Sequence, residues 1–203
     1  METRPGSRHT GIIVDMPDLG GKKFLHLAWQ YSFLKDEIPE SCSQYSSSSF
    51  DKAEQEYLAE RLVRRWEKNG SRVAYGIDFD GSSAFGVDEL FAGEGGRGLT
   101  CATFVLDFLA SCGFAVCDVE SWSFRSDDRA FQQFIYDQLA MRFNNPEHQE
   151  QLRRVQASVG NAARFRPEEV VACFTRYVDD PIRMPSAQYW GYEVLLESGM
   201  CIV

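Results

Sequence analysis

The stretch Gly96-Arg-Gly-Leu-Thr-Cys-Ala-Thr-Phe-Val-Leu-Asp-Phe-Leu109 decides how the chain is read. A glycine-rich loop ends at Gly98, and an apolar pattern of helical spacing starts just after Thr100. Thr100 is suited to cap that helix, because its hydroxyl can accept a bond from an otherwise orphan backbone N–H. Cys101 then falls in the first turn. The positive end of the helix dipole favours a thiolate at that point, and a thiolate is the nucleophilic form of cysteine. Cys101 is therefore the candidate nucleophile. Close packing of a small apolar side chain is the alternative use of a Cys at a helix start.

Working outward, Gly11 to Met16 is a short β-branched run that predicts a strand. Asp18-Leu-Gly-Gly signals a turn, and the aromatic-rich Lys23 to Leu34 predicts a second, antiparallel strand. Asp51 to Asn69 carries Tyr57, Leu58, Leu62, Val63 and Trp66 on one helical stripe, with Gly70 as a stop. Arg72 to Phe79 and Phe114 to Val119 read as short strands. Asp80 to Gly98, rich in Gly, Asp and Ser, reads as a surface loop, and the Cys101 helix runs to about Ser111. The last third is read as mostly helical: Asp127 to Phe143, Pro146 to Ser158, and Glu168 to Tyr177 after Pro167, with the aromatic Tyr189 to Leu196 unassigned. The fold class expected is α+β, an antiparallel sheet with the Cys-bearing helix packed on it. Residues 1–10 are expected to be a flexible arm. Residues 11–203 are expected to be a single domain, with its core in 11–119 and a helical extension over 120–203.

Composition narrows the function. The chain has 203 residues, 44% apolar and 25% charged, and a net charge of −9. That charge argues against nonspecific nucleic-acid binding and against an anionic membrane surface. No run of about 18 apolar residues exists to span a membrane, and the N-terminus has no apolar stretch of the kind a secretory signal needs. Cys42, Cys101, Cys112, Cys117, Cys173 and Cys201 form no Cys-x-x-Cys pair and stand at no metal-ligand spacing to a His. Reduced thiols in a cytoplasmic protein fit this pattern, and no metal or cofactor is expected. Gly93-Glu-Gly-Gly-Arg-Gly precedes a helix as phosphate cradles do, but it lacks the Gly-Lys-Ser/Thr ending, and Glu94 would repel an anion.

A catalytic thiol needs a basic partner, most often His. His9 falls in the arm and His148 in a polar stretch. His26 sits in Phe24-Leu-His-Leu-Ala-Trp with apolar neighbours on both sides. His26 is thus the base expected for Cys101, and a buried structural His is its other use.

These parts together resemble the papain-like thiol hydrolase superfamily, in which a helix bearing the Cys packs on an antiparallel sheet bearing the His. His26 precedes Cys101, an order similar to the circularly permuted branch that includes NlpC-type peptidases and lecithin–retinol acyltransferase-like proteins. Gly98-Leu-Thr-Cys-Ala-Thr-Phe-Val is similar to the family's nucleophile helix, and Val73-Ala-Tyr-Gly to its Tyr-containing segment. The resemblance covers roughly residues 11 to 119. It departs from the family where Thr100-Cys101 replaces the usual Asp-Cys or Asn-Cys, and Thr100 is taken as a site-supporting residue. It implies a Cys101–His26 pair supported by Tyr75, and a third residue on the neighbouring strand to orient the His. Asp15, Asp78 and Gln30 are polar residues that could be weighed for that place, and none is assigned. The activity implied is hydrolysis of an amide, ester or thioester through an acyl-enzyme. Acyl transfer on the same pair, a non-enzymatic protein-binding relative, and a metal site of Cys101, His26 and a carboxylate are the alternatives. The substrates compatible with the reading are a peptide, a protein tail or a small amide or ester, and oligomeric state is left open.

Overall fold

A computed structural model describes residues 2–4, 7–17, 20–93 and 97–199. The Asp18–Leu19 part of the first turn, residues 94–96 of the glycine-rich loop and Cys201 lie outside the described residues. The fold is mixed α+β, as expected. Two short strands, β1 (Glu2–Arg4) and β2 (Ser7–Arg8), pair antiparallel. The main sheet has three antiparallel strands in the order β3-β4-β5: β3 (Ile12–Met16), β4 (Gly21–Trp29) and β5 (Ser32–Asp36). Among the described residues six α-helices follow: α1 (Lys52–Asn69), α2 (Cys101–Ser111), α3 (Asp128–Arg142), α4 (Gln149–Ser158), α5 (Pro167–Arg176) and α6 (Met184–Glu197).

Local chemistry fixes both central helices. Asp51 caps α1 by accepting from Glu54 N–H at 2.8 Å, and Glu54 accepts in return from Asp51 N–H at 2.9 Å. Thr100 caps α2 in the same reciprocal way with Thr103. Every residue of α2 from Cys101 to Leu109 is buried, the polar Thr103 and Asp107 included, so this helix runs through the core. It packs against β4 and α5. Phe33 of β5 meets Phe104 of α2 with ring centroids 4.6 Å apart.

Three expectations are corrected. Lys23 to Leu34 is not one strand: it folds back at Gln30–Tyr31, where Tyr31 takes a φ of 58°, and so supplies both β4 and the start of β5. Second, the segments near 72–79 and 114–119 do not join the sheet as ladders. Apart from Val73 O, which accepts from Tyr31 N–H, their pairing is limited to isolated parallel bridges, Tyr75 to Leu99 and Cys117 to Ile182. The reason at Tyr75 is competition from side chains: its N–H donates to Gln30 Oε1 at 2.6 Å, and its carbonyl accepts from Gln151 Nε2 at 2.7 Å. Third, the end of the supposed arm is packed. Thr10 is 8% exposed, and Arg8 Nη1 donates to Glu168 Oε1 at 2.8 Å. The unassigned 189–196 stretch lies within α6.

α1 is tied to α2 by a buried charge cluster that its hydrophobic stripe does not announce. Arg65 is 1% exposed and donates to Glu89, Asp107 and Ser111 at 2.8, 3.2 and 2.8 Å. Asp107, inside α2, also accepts from Ala84 N–H at 2.7 Å, which anchors the 80–92 loop. Burial raises the Asp107 carboxyl above the usual range, opposed by the Ala84 N–H and by Arg65.

Candidate functional site

Thr100 holds the start of α2 in place, and Cys101 is its first residue. The approach to that point needs glycine. Leu99 N–H donates to Ala74 O at 3.0 Å and Gly76 N–H to Leu99 O at 3.3 Å, so two backbones touch. A Cβ on Gly98 would stand 2.6 Å from Gly76 N, closer than any side chain tolerates. This contact seats Tyr75 beside Cys101. Tyr75 packs on Trp29 at 4.6 Å between centroids, and burial raises its hydroxyl pKa while the Cys101 backbone N–H opposes the rise.

The sheet register lines up a second group. Ile12 pairs with Leu25 and Ile13 with Phe24. One further step of that register sets Gly11 against His26, where a Cβ on Gly11 would lie 2.6 Å from His26 Cβ. His9, two residues before Gly11, therefore reaches His26 on the diagonal. On the other side His26 pairs with Leu34, and Asp36 lies two residues beyond it on the same face. The outcome is a chain of three side chains across one sheet face. His9 Nε2 is 2.6 Å from His26 Nδ1, and His26 Nε2 is 3.0 Å from Asp36 Oδ2. The rings of Phe24 and His26 stack at 4.5 Å.

Hydrogen-bond capacity sets the tautomers. Asp36, as a carboxylate, can only accept, so His26 donates from Nε2. With the His26 proton on Nε2, its Nδ1 accepts and His9 donates from Nε2. Burial, and then the neighbouring His26, hold His9 well below the usual imidazole value, at about 3, so it is neutral at ordinary pH.

Cys101 is 6% exposed. Burial pushes its thiol above the usual value. The backbone N–H groups of Thr10 and Ala102, and the Arg164 guanidinium, act in the opposite direction without overcoming it. The low thiol pKa expected from the helix dipole is thus not what the site shows: desolvation outweighs the dipole. Thr10, whose N–H acts on the thiol, directly follows His9, whose ring meets His26. His9 and Thr10 also line a cavity of about 600 Å³ bounded by β3, α1, α2 and α5, whereas Cys101 and His26 are not on its wall.

The expected pair is therefore brought into one neighbourhood, but no hydrogen bond joins Cys101 to His26, and both His26 ring nitrogens are engaged by His9 and Asp36. Of the residues weighed for the orienting place, Asp15 is exposed, Asp78 pairs with Arg154, and Gln30 bonds to Gln151 and Tyr75. His148 bonds to the Tyr31 hydroxyl at 3.2 Å. Sequence reasoning missed His9 and Asp36. A signal for His9 was present, since His9-Thr-Gly-Ile-Ile-Val runs directly into β3. No group of three His, Cys, Asp or Glu side chains among the described residues is arranged to hold a metal ion. No described helix is long and apolar enough to cross a membrane.

Compared with protein-family models, curated proteins and solved structures, the chain matches none.

Proposed function

We propose that this chain is a cysteine-nucleophile hydrolase acting on an amide, ester or thioester, with Cys101 as nucleophile and a His9–His26–Asp36 chain as its proton-handling system. The carrying observation is the His9–Thr10 dipeptide. Its imidazole meets His26 at 2.6 Å while its next backbone N–H acts on the Cys101 thiol. In this reading His26 moves from base to orienting residue, and the base is the His9 imidazole, held beside the thiol by the Thr10 backbone. The order of histidines before cysteine, and a Cys at the start of a buried helix packed on an antiparallel sheet, support the permuted papain-like reading.

The chemistry starts from a neutral thiol and a neutral imidazole rather than from a preformed ion pair. As the sulfur attacks the carbonyl carbon, its proton passes to the His9 ring. The backbone N–H groups of Thr10 and Ala102 are donors for the oxyanion that develops. Burial and His26 disfavour a lasting charge on His9, so the proton is held there only in passing, while Asp36 orients His26. His9 then delivers the proton to the leaving amine, alcohol or thiol, and the acyl group remains on Cys101 as a thioester. A water molecule gives a proton to His9, attacks that thioester and releases the acid, and the proton returns to the sulfur. An alcohol or amine in place of water makes the same site an acyltransferase. The free thiols of Cys42, Cys101, Cys112, Cys117 and Cys173 suit a reducing, cytoplasmic setting.

Intact-mass measurement after mixing with p-nitrophenyl acetate tests this. An acetyl adduct should form on wild type and be absent from Cys101→Ala. Its rate should fall about 100-fold or more in His9→Ala, the span of general-base catalysis, and less in His26→Ala. A larger loss in His26→Ala than in His9→Ala would return the base to His26. The buried, high-pKa thiol favours a second reading, a non-enzymatic relative that binds a protein. No adduct at any pH, with large melting losses in both His variants, would select it.

A further inference from the structure

The sheet has two outer edges, and the chain treats them differently. On the β5 side, Tyr31 N–H donates to Val73 O and Phe33 N–H to Gly70 O, both at 2.9 Å, so that edge is closed by backbone. On the β3 side, Ile12 to Met16 pair inward with β4, and no backbone bond runs outward from Ile12 to Asp15 to any described residue. That outer edge follows the 600 Å³ cavity, which Gly11, Ile12, Ile13, Val14 and Asp15 all line. Successive strand side chains point to opposite faces, so five consecutive residues line one cavity only where it runs along the backbone edge itself. The far wall is apolar, with Leu58, Val105, Phe108, Val170 and Phe174.

Unpaired N–H and C=O groups in a row are the template for an added strand. We propose that the outer edge of β3 is a docking site for an extended, basic peptide segment, which joins the sheet as a further strand. Alternate side chains of the segment press on the apolar wall, and the others face the rim. The rim sets their charge. Among the described lining residues, Arg8 is paired with Glu168 at 2.8 Å and Lys52 with Glu56 at 3.6 Å, while the exposed Asp15, set opposite Lys22 by the register, makes no ion pair, on a chain of net charge −9. A bare alkyl chain would fill the apolar wall but would satisfy none of the strand's backbone groups. The proposal does not rest on the hydrolase reading, because strand addition needs no turnover.

The test uses the full chain carrying Cys101→Ala and a fluorescein-labelled, acetylated octapeptide of alternating valine and lysine. Fluorescence anisotropy should show saturable binding, and hydrogen exchange should slow at amides within 12–15. Backbone N-methylation at every second position of the probe should weaken binding about tenfold or more in one parity, where donors to β3 are lost, and less than about twofold in the other. Absence of binding, equal loss in both parities, or displacement of the probe by dodecanoate with no change in β3 exchange would each overturn the proposal. Activity is not measured, so any of these results leaves the acetylation test of Cys101 and His9 standing on its own.

Discussion

Acid should destabilise this fold in part through one side chain, His9. In the folded chain burial holds its imidazole at about 3, against an ordinary value of 6.5. The sign follows from proton uptake. Between these two values the unfolded chain binds a proton at His9 and the folded chain does not, so stability is unaffected above pH 6.5 and is lost as pH falls toward 3. At pH 5 the population factors give a loss of about 2 kcal/mol relative to pH 7.5, with a slope near 1.4 kcal/mol per pH unit below 6. His9→Gln removes the titration while keeping an amide N–H that can donate to His26 Nδ1. Urea unfolding of both proteins at pH 7.5 and pH 5.0 isolates the effect, since other titrating groups contribute to both. Wild type should lose about 2 kcal/mol more than the variant over that interval. Equal losses in the two proteins would refute a neutral, desolvated His9 packed on His26.

Other outcomes can be checked directly. Because burial raises the Cys101 thiol, iodoacetamide at pH 7.5 should label Cys101 more slowly than the half-buried Cys42; faster labelling of Cys101, read by peptide mass spectrometry, would show a thiolate at rest. Arg65→Met leaves the buried Asp107 without its cation and Glu89 with Arg61 alone, and should cost about 3–5 kcal/mol in urea unfolding; a loss under about 1 kcal/mol would mean the cluster is not a tie between α1 and α2. Gly98→Ala puts a Cβ against Gly76 backbone, so it should lower the melting temperature and the Cys101 acetylation rate together; a variant with wild-type melting would argue against the backbone contact between 74–76 and 98–99.

Several parts of this protein were legible in the linear sequence, because they depend on neighbours a few residues apart. The Thr100 cap, the start of α2 at Cys101, and the extent of α1 from Asp51 to its stop at Gly70 are local: a hydroxyl or carboxylate meets an N–H three residues on, and apolar side chains repeat with the helical turn. The β3 and β4 runs were legible for the same reason, through β-branched and aromatic content. What tertiary structure decided was which of these pieces meet. His9 reaches His26 only because the β3–β4 register sets Gly11 opposite His26, and Asp36 joins them only because the chain turns at Gln30–Tyr31 instead of continuing straight. Side-chain amides of Gln30 and Gln151 take the Tyr75 backbone groups and keep that segment from forming a longer ladder, a competition between residues 45 and 76 positions apart. Burial decided the charge states as well. The helix dipole at Cys101 could be read from its position, but the desolvation that overrides it comes from packing around the thiol, which one-dimensional spacing does not contain.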